Sequence, residues 1–282
     1  RVHFKRFGLT NSRADGIFSS VYRGRSMEME DLRPYVPGDN LRDMDWKASS
    51  RTGEAMVRNY VADKRKKILF IGDTGTNMEG AMPTGYSKKD CELLTIGTAA
   101  YLAGRGGADY AIACGNIKDF DLGHFRSGAK YLERQLNMLE KGLECVKSTD
   151  DSGTEVSQLL MDVLDLPLKG VSICLVTDLR GLAVMDGKLL RMVAQGREFY
   201  VFEVSDADWG VHRLYNVQTE RVIPEIISFD KKLTKEIQVR KNAIQMEVRT
   251  KLRRSGALYA YLEDTDEIPD TVTKVLNGEI TD

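Results

Sequence analysis

Three largely apolar runs limit what this chain can fold into: ILFIG at 68–72, VSICLV at 171–176 and FYVFEV at 199–204. A strand with one face in water alternates apolar and polar residues. Continuous runs of this length instead suit central parallel strands covered on both faces. DYAIACG and ALYAYLE read as further strands, and LGHFRSG as a short edge strand. Helical patterns lie between them. Cys91, Leu94, Thr98, Tyr101 and Leu102 share one helical face, and Leu132, Leu136, Leu139, Leu143 and Val146 recur at alternating spacings of four and three. Val156, Leu159, Leu160, Val163 and Leu164 form another stripe, GKLLRMVAQGRE a shorter one, and a long basic helix covers about 231–254. Such alternation predicts an α/β domain over 66–282: a mostly parallel sheet, helices on both faces and right-handed crossovers.

Residues 1–65 differ in character. They are dense in charge, glycine and turn signals, with Pro37-Gly38-Asp39 a strong turn and AMVRNYVA a short strand, and no helical stripe precedes Lys66. This region is expected to be an irregular, partly β unit. Its acidic and basic residues, Asp31, Asp39, Asp43 and Asp45 against Arg33, Arg42 and Arg51, predict a salt-bridged scaffold with Trp46 buried, the alternative being a surface for a partner.

Asp73-Thr74-Gly75-Thr76 imitates the catalytic tripeptide of an aspartic protease, and Asp151-Ser152-Gly153-Thr154 imitates its second copy. The imitation fails on fold, because those proteases are nearly all β. It fails again because CVKSTD before Asp151 is too polar to be the buried strand that presents a catalytic carboxylate.

The same residues matter for another reason. In an open parallel sheet, ligands collect outside the carboxyl ends of the strands, where strand order reverses. Asp73 follows ILFIG, Asp178 follows VSICLVT, and Thr154 precedes a helix. Together with Asn77 they offer hard oxygen atoms of the kind that suits Mg2+ or a similar ion. Each also has a plainer reading. Asp73 can close an Asx turn, Thr154 can cap a helix, and Asp178 can cap the turn DLRG.

The stretch RGRSMEMEDLRPYVPGDNLRDMDWKASSRTGEAMVRNYV resembles the signature of the family called domain of unknown function 58. Glu28, Asp31, Leu32, Arg33, Tyr35, Pro37, Gly38, Asp39, Arg42, Asp45, Trp46 and Lys47 stand in its positions. The resemblance implies that a von Willebrand factor A-like domain, Rossmann-like in fold, follows the signature. Such domains often carry a metal-ion-dependent adhesion site, D-x-S-x-S with a distant Thr and a distant Asp. Mapped by that resemblance, Asp73 matches, Gly75 and Asn77 replace the two serines, Thr154 takes the Thr position and Asp178 the last Asp. The implied site is a degraded one for Mg2+, or Mn2+ or Ca2+, on Asp73, Asn77, Thr154 and Asp178. Thr76 joins these four as an expected partner-binding residue. The resemblance also implies a prokaryotic, non-enzymatic interaction module whose partner is a MoxR-type AAA+ ATPase and which offers that partner's carboxylate or polar loop a crevice.

The competing expectation is a metal-dependent hydrolase in which Asp73 and Asp178 hold the ion. No nucleophile stands beside a base, and no phosphate-binding or dinucleotide motif occurs. RNA binding through the basic helix is a third expectation. Against it, 41 Lys and Arg face 42 Asp and Glu, and Leu233, Ile237, Ile244, Val248 and Leu252 give that helix an apolar stripe without interleaved aromatics. The four cysteines lie far apart and read as buried reduced thiols, and His3, His124 and His212 have no metal-ligand spacing. The absence of a run of 18 apolar residues predicts a cytoplasmic chain with no membrane segment.

Overall fold

The structure, a computed structural model, describes residues 29–37, 39, 43–60, 65–114, 124–145, 154–209, 215–216 and 221–279. Strands β1 (Met29–Pro34) and β2 (Met56–Tyr60) pair antiparallel in the N-terminal region. Between them runs a helix the sequence pattern did not announce, Trp46–Thr52, started by Asp45, whose carboxylate accepts from the backbone N–H of Lys47 and Ala48. It has no apolar stripe because it buries no residue. Trp46 is 71% exposed, which corrects the expectation of a buried indole. The scaffold reading holds for one pair. Arg33 grips Asp39 bidentately at 2.7 and 2.6 Å beside the turn, the geometry that suits a guanidinium fork. Glu28, Gly38 and Arg42 lie outside the described residues.

The apolar runs form one five-stranded sheet of β3 (Lys67–Gly72), β4 (Asp109–Cys114), β5 (Val171–Asp178), β6 (Phe199–Val204) and β9 (Leu258–Leu262), in the order β4-β3-β5-β6-β9. All four pairings are parallel. A two-stranded antiparallel pair, β7 (Tyr215–Asn216) and β8 (Arg221–Val222), stands apart. The expected edge strand survives as one antiparallel bridge between Arg126 and Tyr110.

Alternate residues of each strand enter opposite cores, as the pleat requires. Ile68, Phe70, Cys174, Val176, Tyr200 and Phe202 face helices Lys88–Arg105, Ala129–Cys145 and Ile268–Leu276. Leu69, Ile71, Ile173, Leu175 and Val201 face helices Thr154–Leu164, Leu179–Ala183, Gly187–Ala194 and the C-terminal half of Lys231–Ser255. The fold is therefore α/β with helices on both faces of a parallel sheet.

Two helices depart from their patterns. Lys88–Arg105 is buried almost all round, because Ala129–Cys145 and Ile268–Leu276 flank it on the sheet; Tyr101 instead lies on its solvent side at 36% exposure. In Lys231–Ser255 the apolar stripe is fully buried only at Val248 and Leu252. Cys91 and Cys174 are buried and Cys114 partly so; all three are unbridged. Burial pushes the Cys91 thiol up to about 12 and Cys114 to about 11, so both are inert at neutral pH. The side chain of Cys145 and residues His3 and His212 lie outside the described residues.

Candidate functional site

After β3 the chain crosses to β4 on one side; β5 then returns to the other side of β3. The gap between β3 and β5 is thus the switch point of the sheet. Parallel register pairs Gly72 with Val176, which carries Asp73 level with Thr177. The hydroxyl of Thr177 donates to Asp73 Oδ2 at 2.5 Å. From this register alone, Asp73 and Asp178 must share one end of the sheet, and they do.

Asn77, in the 3-10 turn Thr76–Glu79, joins them. Its Nδ2 donates to Asp73 Oδ2 at 2.9 Å and to Asp178 Oδ1 at 2.8 Å. The amide orientation follows from the chemistry: turned over, its carbonyl oxygen would face two acceptors and satisfy neither. The plainer readings hold alongside. Gly75 N–H closes an Asx turn onto Asp73 Oδ1 at 2.9 Å, and Asp178 caps Leu179–Ala183 by accepting from Gly181 N–H at 2.9 Å.

Gly75 and Asn77 depend on each other. A Cβ on residue 75 would sit 2.3 Å from Asn77 Oδ1 and 3.0 Å from Asp73 Oδ1. The carboxamide folds over a position that has no side chain to give way, and Asn77 Oδ1 itself is buried without a hydrogen-bond partner. Gly181 is similarly constrained, since a Cβ there would lie 2.1 Å from Thr177 Oγ1.

The sequence pattern missed the largest charge in the site. Lys88 opens the helix Lys88–Arg105, is 3% exposed, and sends its ammonium to Asp178 Oδ2 at 2.7 Å and to the backbone carbonyl of Asn77 at 3.1 Å. It also contacts Asp206, whose side chain is half-buried. Burial works against the charge on Lys88, but the two aspartates outweigh it and hold the ammonium above its ordinary value. Burial likewise works against the charge of Asp178, and Lys88 with the N–H groups of Gly181 and Asn77 pulls it below the usual carboxylate range. Asp73, without a cation of its own, is raised by burial.

Behind Asp73 lies Glu92, fully buried and well above its ordinary value, first from burial and then from the charge of Asp73. The backbone N–H of Asp73 is near enough to favour the charged form, yet neither Glu92 oxygen has a hydrogen bond of acceptable geometry. The burial and the neighbouring Asp73 charge both favour the protonated form of Glu92.

Asp73, Asn77 and Asp178 thus converge. Thr154 is the first residue of its helix, but its side chain lies outside the described residues, as do Asp151, Ser152 and Gly153. Thr76 is half-buried at the rim of the crevice. The donor set does not fit a divalent ion. The groups nearest the two carboxylates are the N–H donors of Asn77 and the ammonium of Lys88, where an ion would need oxygen lone pairs. No group of three or more His, Cys, Asp or Glu among the described residues could hold a metal.

Burial corrects a further expectation. Asp73 and Asp178 are each 1% exposed and Asn77 is 7% exposed, so they support the crevice from beneath and do not present themselves to a partner. The reachable rim is built by the segment 76–87 and the loop after β6, joined where Ala207 N–H donates to Ala81 O at 2.8 Å. Tyr86 is 53% exposed on that rim. Burial first, then the charge of Glu203, raise the Tyr261 hydroxyl to about 12, with smaller contributions from the nearby Glu263, Asp206 and Asp208.

The profile of the family described as protein of unknown function DUF58 matches residues 31–195. Proteins of Mycobacterium bovis and Mycobacterium tuberculosis, each carrying the name uncharacterized protein, are 29% identical over 80 residues, 28% of this chain. The match spans 23% of the length of those relatives. Among solved structures, BatB of Bacteroides thetaiotaomicron, titled a conserved hypothetical protein, gives a TM-score of 0.46 at 11% identity over 76% of this chain and 98% of that chain. An aerotolerance-related membrane protein of Bacteroides fragilis gives 0.43 at 11% identity, over 76% and 99% respectively.

Proposed function

This chain belongs to the DUF58 family, and we propose that it is a non-enzymatic protein–protein interaction module. One observation carries the reading. In the crevice at the switch point, Asp73, Asp178, Asn77 and Lys88 are engaged with one another, and the hydroxyl that donates to Asp73, that of Thr177, is fully buried and out of reach of a substrate. Such a network stiffens a surface and does not turn over a substrate. A hydrolase that holds its ion on Asp73 and Asp178 has no support in this arrangement.

The von Willebrand factor A-like resemblance of residues 66–282, following a signature unit over 1–65, supplies the class of partner: a MoxR-type AAA+ ATPase in a prokaryotic cytoplasm. No described helix is long and apolar enough to cross a membrane. The contact surface in this reading is the rim, with Thr76, Tyr86 and Asp208. Exposed tyrosines are common anchors of interfaces. The acidic rim changes what the partner should present. Asp206, Asp208 and Glu263 would repel a carboxylate, so a basic or polar loop is the better match.

Binding of the purified full chain to a MoxR-type ATPase of the same organism tests this. Tyr86→Ala and Asp208→Arg should each weaken binding at least tenfold while circular dichroism and melting stay unchanged. Lys169→Glu, exposed at the amino end of β5, should leave it unaltered. Binding indifferent to both rim substitutions would remove the rim from the interface, and no binding by the native chain would remove the partner.

A further inference from the structure

We infer that Lys88 is the built-in cation of this crevice, holding with its own ammonium a position shaped to coordinate a divalent ion. Three oxygens from three separate segments converge on Nζ: Asp178 Oδ2 at 2.7 Å, the Asn77 carbonyl at 3.1 Å, and Asp206 Oδ1 in direct ion-pair contact. Two carboxylates and a backbone carbonyl are the hard-oxygen ligands that Mg2+, Mn2+ and Ca2+ take, with water completing the shell. Here they surround a nitrogen that is covalently tethered and nearly inaccessible at 3% exposure.

Local rules make the placement unusual. Lys88 occupies the first position of an 18-residue helix whose cap is Ser87, the end where the helix dipole disfavours a cation. Nothing in the helix itself rewards a lysine there; its partners lie 90 and 118 positions further along the chain. The ammonium ties the start of this helix to the turn Thr76–Glu79, the end of β5 and the loop after β6, and the last three are the segments that a bound ion would link. Asn77 agrees with that assignment. It turns N–H groups toward Asp73 and Asp178 and keeps its side-chain oxygen away from them.

The inference stands independently of who the partner is. Removing the amine should leave the oxygens and make room for an ion. The test is titration of the full chain with Mn2+, read by electron paramagnetic resonance and by thermal melting, up to roughly 1 mM, the weak end of oxygen-ligand sites. The native chain should show no saturable binding and no ion-dependent shift in Tm. Lys88→Ala should bind one ion per chain, and its Tm should climb with the logarithm of ion concentration, because only the folded form assembles the ligands. Adding Asp206→Asn to Lys88→Ala should weaken that gain at least tenfold. Saturable binding by the native chain that Asp178→Asn abolishes would overturn the inference. So would a folded Lys88→Ala chain that gains no ion, or one that fails to fold even with Mn2+ present. Partner binding plays no part in these readouts, so a failure here leaves the interaction reading standing, and the reverse.

Discussion

Lys88 and Asp178 stand 90 residues apart in the chain and 2.7 Å apart in space, and both are buried. Each would be costly alone. A buried charge stripped of its partner loses its compensation without regaining its hydration, which costs about 3–5 kcal/mol. Asp206 stays in contact with the ammonium, so Asp178→Asn is expected at the low end, about 3 kcal/mol by urea unfolding at pH 7.

The pH dependence of that loss has a definite sign. Folding lowers Asp178 below its ordinary value of 3.8. Its contribution is therefore present above the unfolded value and disappears as pH falls through the folded one. The gap between native and Asp178→Asn midpoints should hold from pH 5 to 8 and shrink below about pH 4, where the unfolded carboxyl protonates. A gap that stays constant down to pH 2 would contradict the pairing. Lys88 runs oppositely. Its raised value keeps its contribution intact below 10.5 and removes it only at strongly alkaline pH.

Thr177→Val tests the hydroxyl that reaches across the switch point to Asp73. The substitution keeps the shape and removes one donor to a buried carboxylate, at a cost of about 1.5–3 kcal/mol for a hydrogen bond to a charged group. Thr177→Ser restores the donor and should recover most of it. Equal losses in both variants would mean that packing, not the hydroxyl, is what counts.

How much of this could be read from the sequence depends on whether the signal was local. Asp73 and Asp178 were visible because each ends a continuous apolar run, and a parallel sheet brings such ends together. Thr177 was hidden inside the same run as one more strand residue. Lys88 was invisible for a different reason. Within SKKDCELL it looks like a solvated charge before a helix, and no periodicity points to partners beyond position 175. Its place against the helix dipole was the one available hint, because local rules break most often at sites with a purpose. Trp46 failed the other way. Large aromatics are usually buried, but the helix Trp46–Thr52 buries no residue at all.

Gly181 lies in the first turn of Leu179–Ala183 and Gly187 opens Gly187–Ala194, and the two should respond oppositely to alanine. At Gly181 the new methyl would meet Thr177 Oγ1 at 2.1 Å and Asp73 Oδ2 at 3.0 Å. Overpacking of this kind costs about 1–3 kcal/mol, and the displaced hydroxyl adds to it. At Gly187 the nearest atom is the mobile Arg191 guanidinium at 3.7 Å, so alanine should be neutral or stabilise by about 0.4–1 kcal/mol through the unfolded chain. Thermal melting of the two variants side by side separates close approach at the site from generic helix effects.

Glu92 gives the last expectation, and its sign is opposite to that of Asp178. The folded chain raises this carboxyl well above 4.5, by burial first and by Asp73 second. A group that holds its proton more tightly when folded favours the native state at low pH and opposes it once the unfolded form ionises. Glu92→Gln removes the titration while keeping the side chain's size. Relative to the native chain, the variant should gain stability as pH rises past the unfolded value of 4.5, the native chain alone bearing the rising cost of protonating Glu92. Urea midpoints at pH 4, 6 and 8 measure this directly. The buried amide still lacks partners, so at pH 4 Glu92→Gln should equal the native chain or fall below it by about 1 kcal/mol. A difference that does not change with pH would show Glu92 to be charged in the folded protein, and a cation near it would then have to be found.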